Sequence, residues 1–192
     1  MSEQSRADLI CKNEDLIKKM AKVGLKMLLI GFESGNQRVL DFLRKGTKVE
    51  HNYTAAEICR KYGVKIWANY MLGIPTETKE EVMDTIRMIQ TIRPDHYSPA
   101  FYTPHPGSDL YEYVERNNLS LITSHDSFRR NPDEEKIKGV DYDFLKKAVR
   151  KSMGVAGVFY QNNLVVKVKQ ILSKAPFLYK ITYKILSKLF RF

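Results

Sequence analysis

The stretch LLIGFESGNQRVL (residues 28–40) opens as a run of strand-forming apolar residues and then meets a glycine, a carboxylate, a hydroxyl and a second glycine. A short apolar run bounded by glycines reads as a strand covered on both faces, the pattern of a parallel sheet layered with helices. Glu33 and Ser34 therefore fall at the carboxyl end of that strand. They do not form the nucleophile elbow of hydrolases, which needs serine at the centre of Gly-x-Ser-x-Gly, because here the central residue is Glu33.

Upstream, NEDLIKKMAKVG predicts a helix with Asn13 as N-cap, Glu14 and Asp15 in the first turn, and Leu16, Ile17, Met20 and Val23 sharing one face. Downstream, a brief helix over 36–45 ends at Gly46, and the capping box TKVE (residues 47–50) starts another with Ala55, Ile58, Cys59 and Tyr62 inward. The pattern then repeats: VKIWANYML is a strand, TKEE (residues 78–81) caps a helix through Val82, Ile86 and Ile89, and DHYSPAFYTP is a further strand before a helix from Ser108. SRADLI near the start adds one more strand. Strand and helix alternating through short loops dictate right-handed crossovers, so the expected class is α/β: a parallel sheet, either open or an arc of a TIM-like β/α barrel. The expected organisation is a partial barrel over 1–120, a polar connector over 121–138 and a basic helical extension over 139–192.

The 192 residues carry a net charge of +10, but seven of those charges sit in the last 29 residues, where no acidic residue occurs. The charge is thus a property of the tail, and no recognition motif accompanies it to indicate nucleic acid. In FLYKITYKILSKLFRF, Lys180, Lys184 and Lys188 recur beside the stripe Leu178, Ile181, Ile185 and Leu189. Such a helix suits either packing on the barrel or lying on an anionic membrane surface, where each basic residue contributes about 1 kcal/mol. Cys11 and Cys59 match no zinc or iron–sulfur spacing, the opening residues are polar, and no run approaches the ~18 apolar residues of a membrane span. A reducing, cytoplasmic setting is expected, with at most a peripheral place on the inner face of a membrane.

In parallel α/β folds ligands bind where the strand carboxyl ends gather. The three such ends here are GFESG, NYMLGIPTET and YTPHPGS. They predict a shared pocket in which Glu33 and Ser34 offer hydrogen-bonding groups, Gly31, Gly35 and Gly73 allow close approach, and Lys45 supplies positive charge. Glu33 equally suits capping the helix at Asn36, and Asn69 equally suits a strand-end hydrogen bond to backbone. His51, His96, His105 and His125 have no metal spacing and read as surface or turn residues; Trp67 reads as core.

The ordered segments GLKMLLIGFESGNQRVLDFLRKG, WANYMLGIPTETKEEVMDTI and DHYSPAFYTPHPGSDLYE resemble the later strands of radical S-adenosylmethionine (SAM) enzymes, especially the subgroup often fused to a cobalamin-binding domain. The resemblance covers about residues 2–119. It implies that Glu33 holds the ribose hydroxyls of SAM, that Lys45 (with Arg44 as the alternative) reaches the methionyl carboxylate, and that Asn69 is the strand's polar contact. It further implies that Gly73 and Ile74, together with Phe101, Tyr102 and Thr103, border the adenine. Relatives hold a 4Fe-4S cluster on a Cys-x-x-x-Cys-x-x-Cys loop, which is absent from this sequence and for which Cys11 and Cys59 cannot substitute. The expectation is therefore the rear portion of a radical SAM enzyme, with no catalytic or metal-binding residue of its own. The cluster, and cobalamin if any, would belong to a full-length relative or to a separate N-terminal half. The competing expectation is a non-catalytic remnant that binds a partner or a membrane surface.

Overall fold

Strand β2 (Met27–Glu33) sets the layering of the molecule. Its alternate side chains Leu28, Ile30 and Phe32 are buried, whereas Met27, Leu29, Gly31 and Glu33 are only half-buried. β3 (Lys65–Leu72) repeats this pattern, with Ile66, Ala68, Tyr70 and Leu72 buried and the residues between them less so. One face of the sheet is therefore sealed and the other stays partly open, which corrects the expectation of strands covered on both faces. The inner wall of a barrel is itself apolar, so the sequence pattern does not separate the two situations.

The computed structural model describes residues 1–128 and 134–153. β1 (Ser2–Arg6), β2, β3 and β4 (His96–Phe101) form one four-stranded sheet in sequence order, every neighbouring pair parallel. Between and after them run α1 (Ala7–Lys12), α2 (Glu14–Lys22), α3 (Gln37–Phe42), α4 (Val49–Lys61), α5 (Lys79–Ile92), α6 (Asp109–Arg116) and α7 (Tyr142–Met153). Sequential parallel strands joined by helices make this a partial β/α barrel, as expected. The chain parts into two compact units, Met1–Ala148 and Val149–Phe192. Residues 134–138 and the start of α7 thus belong with the barrel: Ser120 bridges Ile137 antiparallel, and Lys136 is 1% exposed. The basic tail lies outside the described residues, and none of the described helices is long and apolar enough to cross a membrane.

Several local expectations change. In SRADLI only Ser5 and Arg6 are strand, and Ala7 begins α1, because Ala7 and Ile10 turn inward on a helical period. Asn13 precedes α2, but its side chain donates back to the Leu9 carbonyl (2.8 Å) rather than capping. Of the apolar residues sharing one face of α2, Ile17 is buried while Leu16 and Val23 are 52% and 79% exposed. α4 starts one residue later than the TKVE box implies, with the Lys48 amide donating to His51 Nδ1 (3.1 Å) and Thr47 buried. Trp67 lies on the open face, half-buried and tilted against His96.

The TKEE box forms as read. Thr78 Oγ1 accepts from the Glu81 amide (3.3 Å), and Glu81 Oε2 accepts from the Thr78 amide (2.8 Å). Glu81 also accepts a two-pronged contact from Arg38 (2.5 and 2.6 Å), which ties α3 to the start of α5. That guanidinium, helped by the Thr78 amide, holds the Glu81 carboxyl at about 2. Glu81→Ala removes a cap and a forked ion pair together, so chemical denaturation should show a loss of roughly 2 kcal/mol.

Candidate functional site

The site grows from an irregularity in β2. Gly31 pairs with Asn69, but the next paired residue is Glu33, opposite Tyr70, so Phe32 is an extra residue in the strand. Bulges of this kind re-aim the side chain that follows. Glu33 sits at φ 60°, a left-handed conformation unusual outside glycine. Its Oε1 accepts from Lys45 Nζ at 2.6 Å, and the two side chains are 18% and 22% exposed.

Gly31 provides the floor. A Cβ there would lie 2.7 Å from Glu33 Oε1 and 3.2 Å from Lys45 Nζ, so the pair rests directly over the glycine. Gly31→Ala should fold yet displace both charged groups, and a crystal structure of the variant should show the 2.6 Å contact broken. In register across the sheet lie Arg6, Gly31, Asn69 and Ser98, which places Asn69 beside the pair. Lys45 is carried on the turn after α3, where its amide donates to the Leu40 carbonyl (3.0 Å) and Gly46 adopts φ 65°. Arg44, the alternative basic residue, pairs instead with Asp109 on α6.

The capping role open to Glu33 belongs to Asn36, whose Oδ1 accepts from the Val39 amide (3.3 Å). Ser34 is fully buried: its hydroxyl meets Thr85 Oγ1 (3.0 Å) and accepts from the Asn36 amide (3.1 Å), while its carbonyl accepts from Asn52 Nδ2 (3.1 Å). Gly35 comes so near α5 that a Cβ would lie 2.6 Å from the Asp84 carbonyl oxygen. Ser34 and Gly35 therefore fasten the loop to α5, and the polar opening is left to Glu33, Lys45 and Asn69.

A second group gathers at the ends of β3 and β4. The Tyr102 amide donates to the Leu72 carbonyl (2.9 Å), and Tyr102 and Ile74 are buried in one cluster with Val39, Val114 and Ile137. Gly73, at φ 74°, and Ile74 donate their amides to Glu77 Oε2 (2.7 and 3.2 Å). Burial pushes the Glu77 carboxyl up to about 7, and its Oε1 is buried with no hydrogen-bond partner. A cavity of ≈ 510 Å³ beside Glu77 is lined also by Tyr113, Lys138 and Phe144, but not by Glu33 or Lys45. Thr103 Oγ1 accepts from Lys136 Nζ (2.9 Å), whose burial lowers its proton affinity. The strand ends thus present a charged pair on the open face and a covered backbone turn, rather than a single pocket shared by all the expected residues. Glu77 and Lys136 were invisible to sequence reasoning: the first looks like part of a capping sequence, the second like connector.

Neither cysteine suits a cluster. Metal ligands must be thiolates, and burial raises the proton affinity of both thiols, that of Cys59 to about 12. Cys11 Sγ contacts the His51 carbonyl (3.4 Å), and both cysteines lie within helices. Among the described residues no group of three or more His, Cys, Asp or Glu is placed to hold a metal ion.

Comparison with known proteins gives a consistent picture. Residues 5–89 match the Radical SAM superfamily. An uncharacterized methyltransferase of Pyrococcus horikoshii is 30% identical over 140 residues, which cover 73% of this chain and 30% of that protein. The anaerobic magnesium-protoporphyrin IX monomethyl ester cyclase of Rubrivivax gelatinosus is 32% identical over 108 residues, 56% of this chain and 20% of the cyclase. Among solved structures, the archaeal Elp3 of Methanocaldococcus infernus shares the fold with a TM-score of 0.55 at 23% identity, over 62% of this chain and 28% of its own. The chain spans less than a third of the length of each of these three proteins.

Proposed function

We propose that this chain, whose residues 5–89 match the Radical SAM superfamily, supplies the SAM-binding strands of such an enzyme while the iron–sulfur ligands come from elsewhere. The observation that carries this reading is the Glu33–Lys45 pair held over Gly31 at the carboxyl end of β2. A carboxylate accepts from two adjacent hydroxyls at once, which is the demand of a ribose diol. Lys45 Nζ offers donors to a carboxylate, and exchanging Glu33 for the methionyl group of SAM keeps that ammonium paired. Asn69 adds an amide beside them, whereas Gly73, Ile74 and Tyr102, expected to border the adenine, are buried, and the Gly73 and Ile74 amides donate to Glu77.

The 4Fe-4S cluster of the superfamily does not fit this chain's donor set, because the two thiols are held protonated on separate helices. No radical step is therefore routed through it. The partner in this reading is an N-terminal half bearing the cysteine loop, and the edge of the sheet supports it. β1 is an edge strand whose residues are mostly exposed, and Leu9 and Leu16 on the helices that follow are 46% and 52% exposed. An unpaired edge flanked by bare apolar side chains favours association with another strand. Peripheral membrane binding through the basic tail is the other reading; that segment lies outside the described residues.

Equilibrium dialysis of the purified chain against radiolabelled SAM tests the proposal. Saturable binding that Glu33→Ala weakens roughly 10- to 100-fold supports it; absence of binding at millimolar SAM refutes it.

A further inference from the structure

From β1, the Arg6 guanidinium reaches the backbone that carries Lys45: Nη2 donates to the Lys45 carbonyl at 2.9 Å. The same group is held from its other side by Asp8, with Nε to Oδ1 at 2.9 Å and Nη2 to Oδ2 at 3.4 Å. Asp8 is 6% exposed and receives a further contact from Lys12 (3.9 Å). Burial works against its charge, yet Arg6 and Lys12 outweigh that cost and keep its carboxyl below the usual range. The two prongs of Arg6 thus join a buried anion on α1 to the turn between α3 and α4.

Within the turn the Lys45 amide donates to the Leu40 carbonyl (3.0 Å) and Gln37 donates to the Thr47 carbonyl (3.2 Å), and Arg6 adds the tie to β1. Arg44 and Gly46, on either side of Lys45, both have positive φ (49° and 65°), and the Arg44 side chain points away to Asp109. From this turn Lys45 delivers its ammonium to within 2.6 Å of Glu33 Oε1, at the end of the strand that precedes α3. Arg6 is also the β1 residue in register with Gly31, so the clamp spans the β1–β2 pair at the level of the charged pair itself.

Resting on the SAM-binding reading above, we propose that Arg6, braced by Asp8, is a positioning residue that sets Lys45 for the carboxylate of the ligand and thereby gives the site its preference for an amino-acid-bearing nucleoside. Arg6 does not touch the ligand. Its effect is confined to the half of the ligand that Lys45 serves, and the ribose and adenine contacts are independent of it.

The experiment compares two ligands on the full chain: SAM, which carries the carboxylate, and 5′-methylthioadenosine, which keeps adenine and ribose but lacks it. Binding of each is measured for wild type, Arg6→Ala, Arg6→Lys and Lys45→Ala, with thermal melts alongside. Arg6→Ala should weaken SAM about 10-fold, the scale of one lost charge-assisted contact, and leave methylthioadenosine unchanged. Arg6→Lys should behave as Arg6→Ala, because a single ammonium cannot fork between Asp8 and the Lys45 carbonyl. A second readout needs no ligand: the acylation rate of Lys45 Nζ, followed by mass spectrometry, should rise in Arg6→Ala as Lys45 leaves Glu33. Unchanged preference for SAM and unchanged Lys45 labelling in a folded Arg6→Ala would overturn the proposal. Equal weakening of both ligands would also overturn it, by showing a general structural role. If wild type binds neither ligand the SAM-binding reading fails instead, and the labelling result still decides whether Arg6 positions Lys45.

Discussion

Glu33→Ala should weaken SAM binding by roughly 10- to 100-fold while leaving the melting temperature nearly unchanged. Glu33 occupies a left-handed conformation at a strand bulge and its carboxylate pairs with Lys45, so it contributes little to packing. A part-exposed ion pair of this kind is worth on the order of 0–1 kcal/mol to the fold. Hydrogen bonds from ligand hydroxyls to a charged acceptor are worth about 1.5–3 kcal/mol each, which converts to the stated loss. Glu33→Gln should fall between wild type and alanine, since an amide oxygen still accepts but carries no charge. A residue that merely held the strand would show the opposite balance, a lower melting temperature with affinity kept. Isothermal titration with SAM, paired with calorimetric melts, separates the two.

The second large effect concerns pH. Burial raises the Glu77 carboxyl to about 7, against an ordinary value of 4.5. A proton is therefore held more tightly in the folded chain than in the unfolded one. Its stabilising contribution is complete below about 4.5 and is lost as pH rises through 7. Because Glu77 keeps partial exposure, the full loss is at most about 3 kcal/mol. Stability should thus decline between pH 5 and pH 8 by roughly 2 kcal/mol from this group. Glu77→Gln should flatten that decline, since the amide oxygen can still accept from Gly73 and Ile74. Glu81 acts in a separate window: its contribution is present above about 4.5 and is lost as pH falls from there through about 2. Urea melts at several pH values distinguish the two carboxylates, and an unchanged slope in Glu77→Gln would contradict this assignment.

The architecture was legible because period and punctuation agree. β2, β3 and β4 are bounded by glycine, proline and caps, and Thr78 with Glu81 closes α5 as its sequence states. What escaped depends on distance in space. Whether Leu16 and Val23 are covered depends on a neighbour that helical spacing cannot reveal, and both are exposed. Ser34 and Glu33 are adjacent and polar, yet the bulge sends one to Lys45 and buries the other against Thr85. Lys45, with Arg44 as the alternative, was the expected basic residue; what the sequence could not show is that Arg44 pairs with Asp109. Lys136 became visible only once the chain folded back to set it against Thr103. The missing cysteine loop, by contrast, needed no structure at all.

The most direct measurement is a heteronuclear NMR titration of the isotopically labelled chain with SAM. Saturable shifts should concentrate at Gly31, Glu33, Lys45 and Asn69. Shifts confined to other surfaces, or none at millimolar SAM, would contradict the assignment of this strand edge as a nucleoside-binding site.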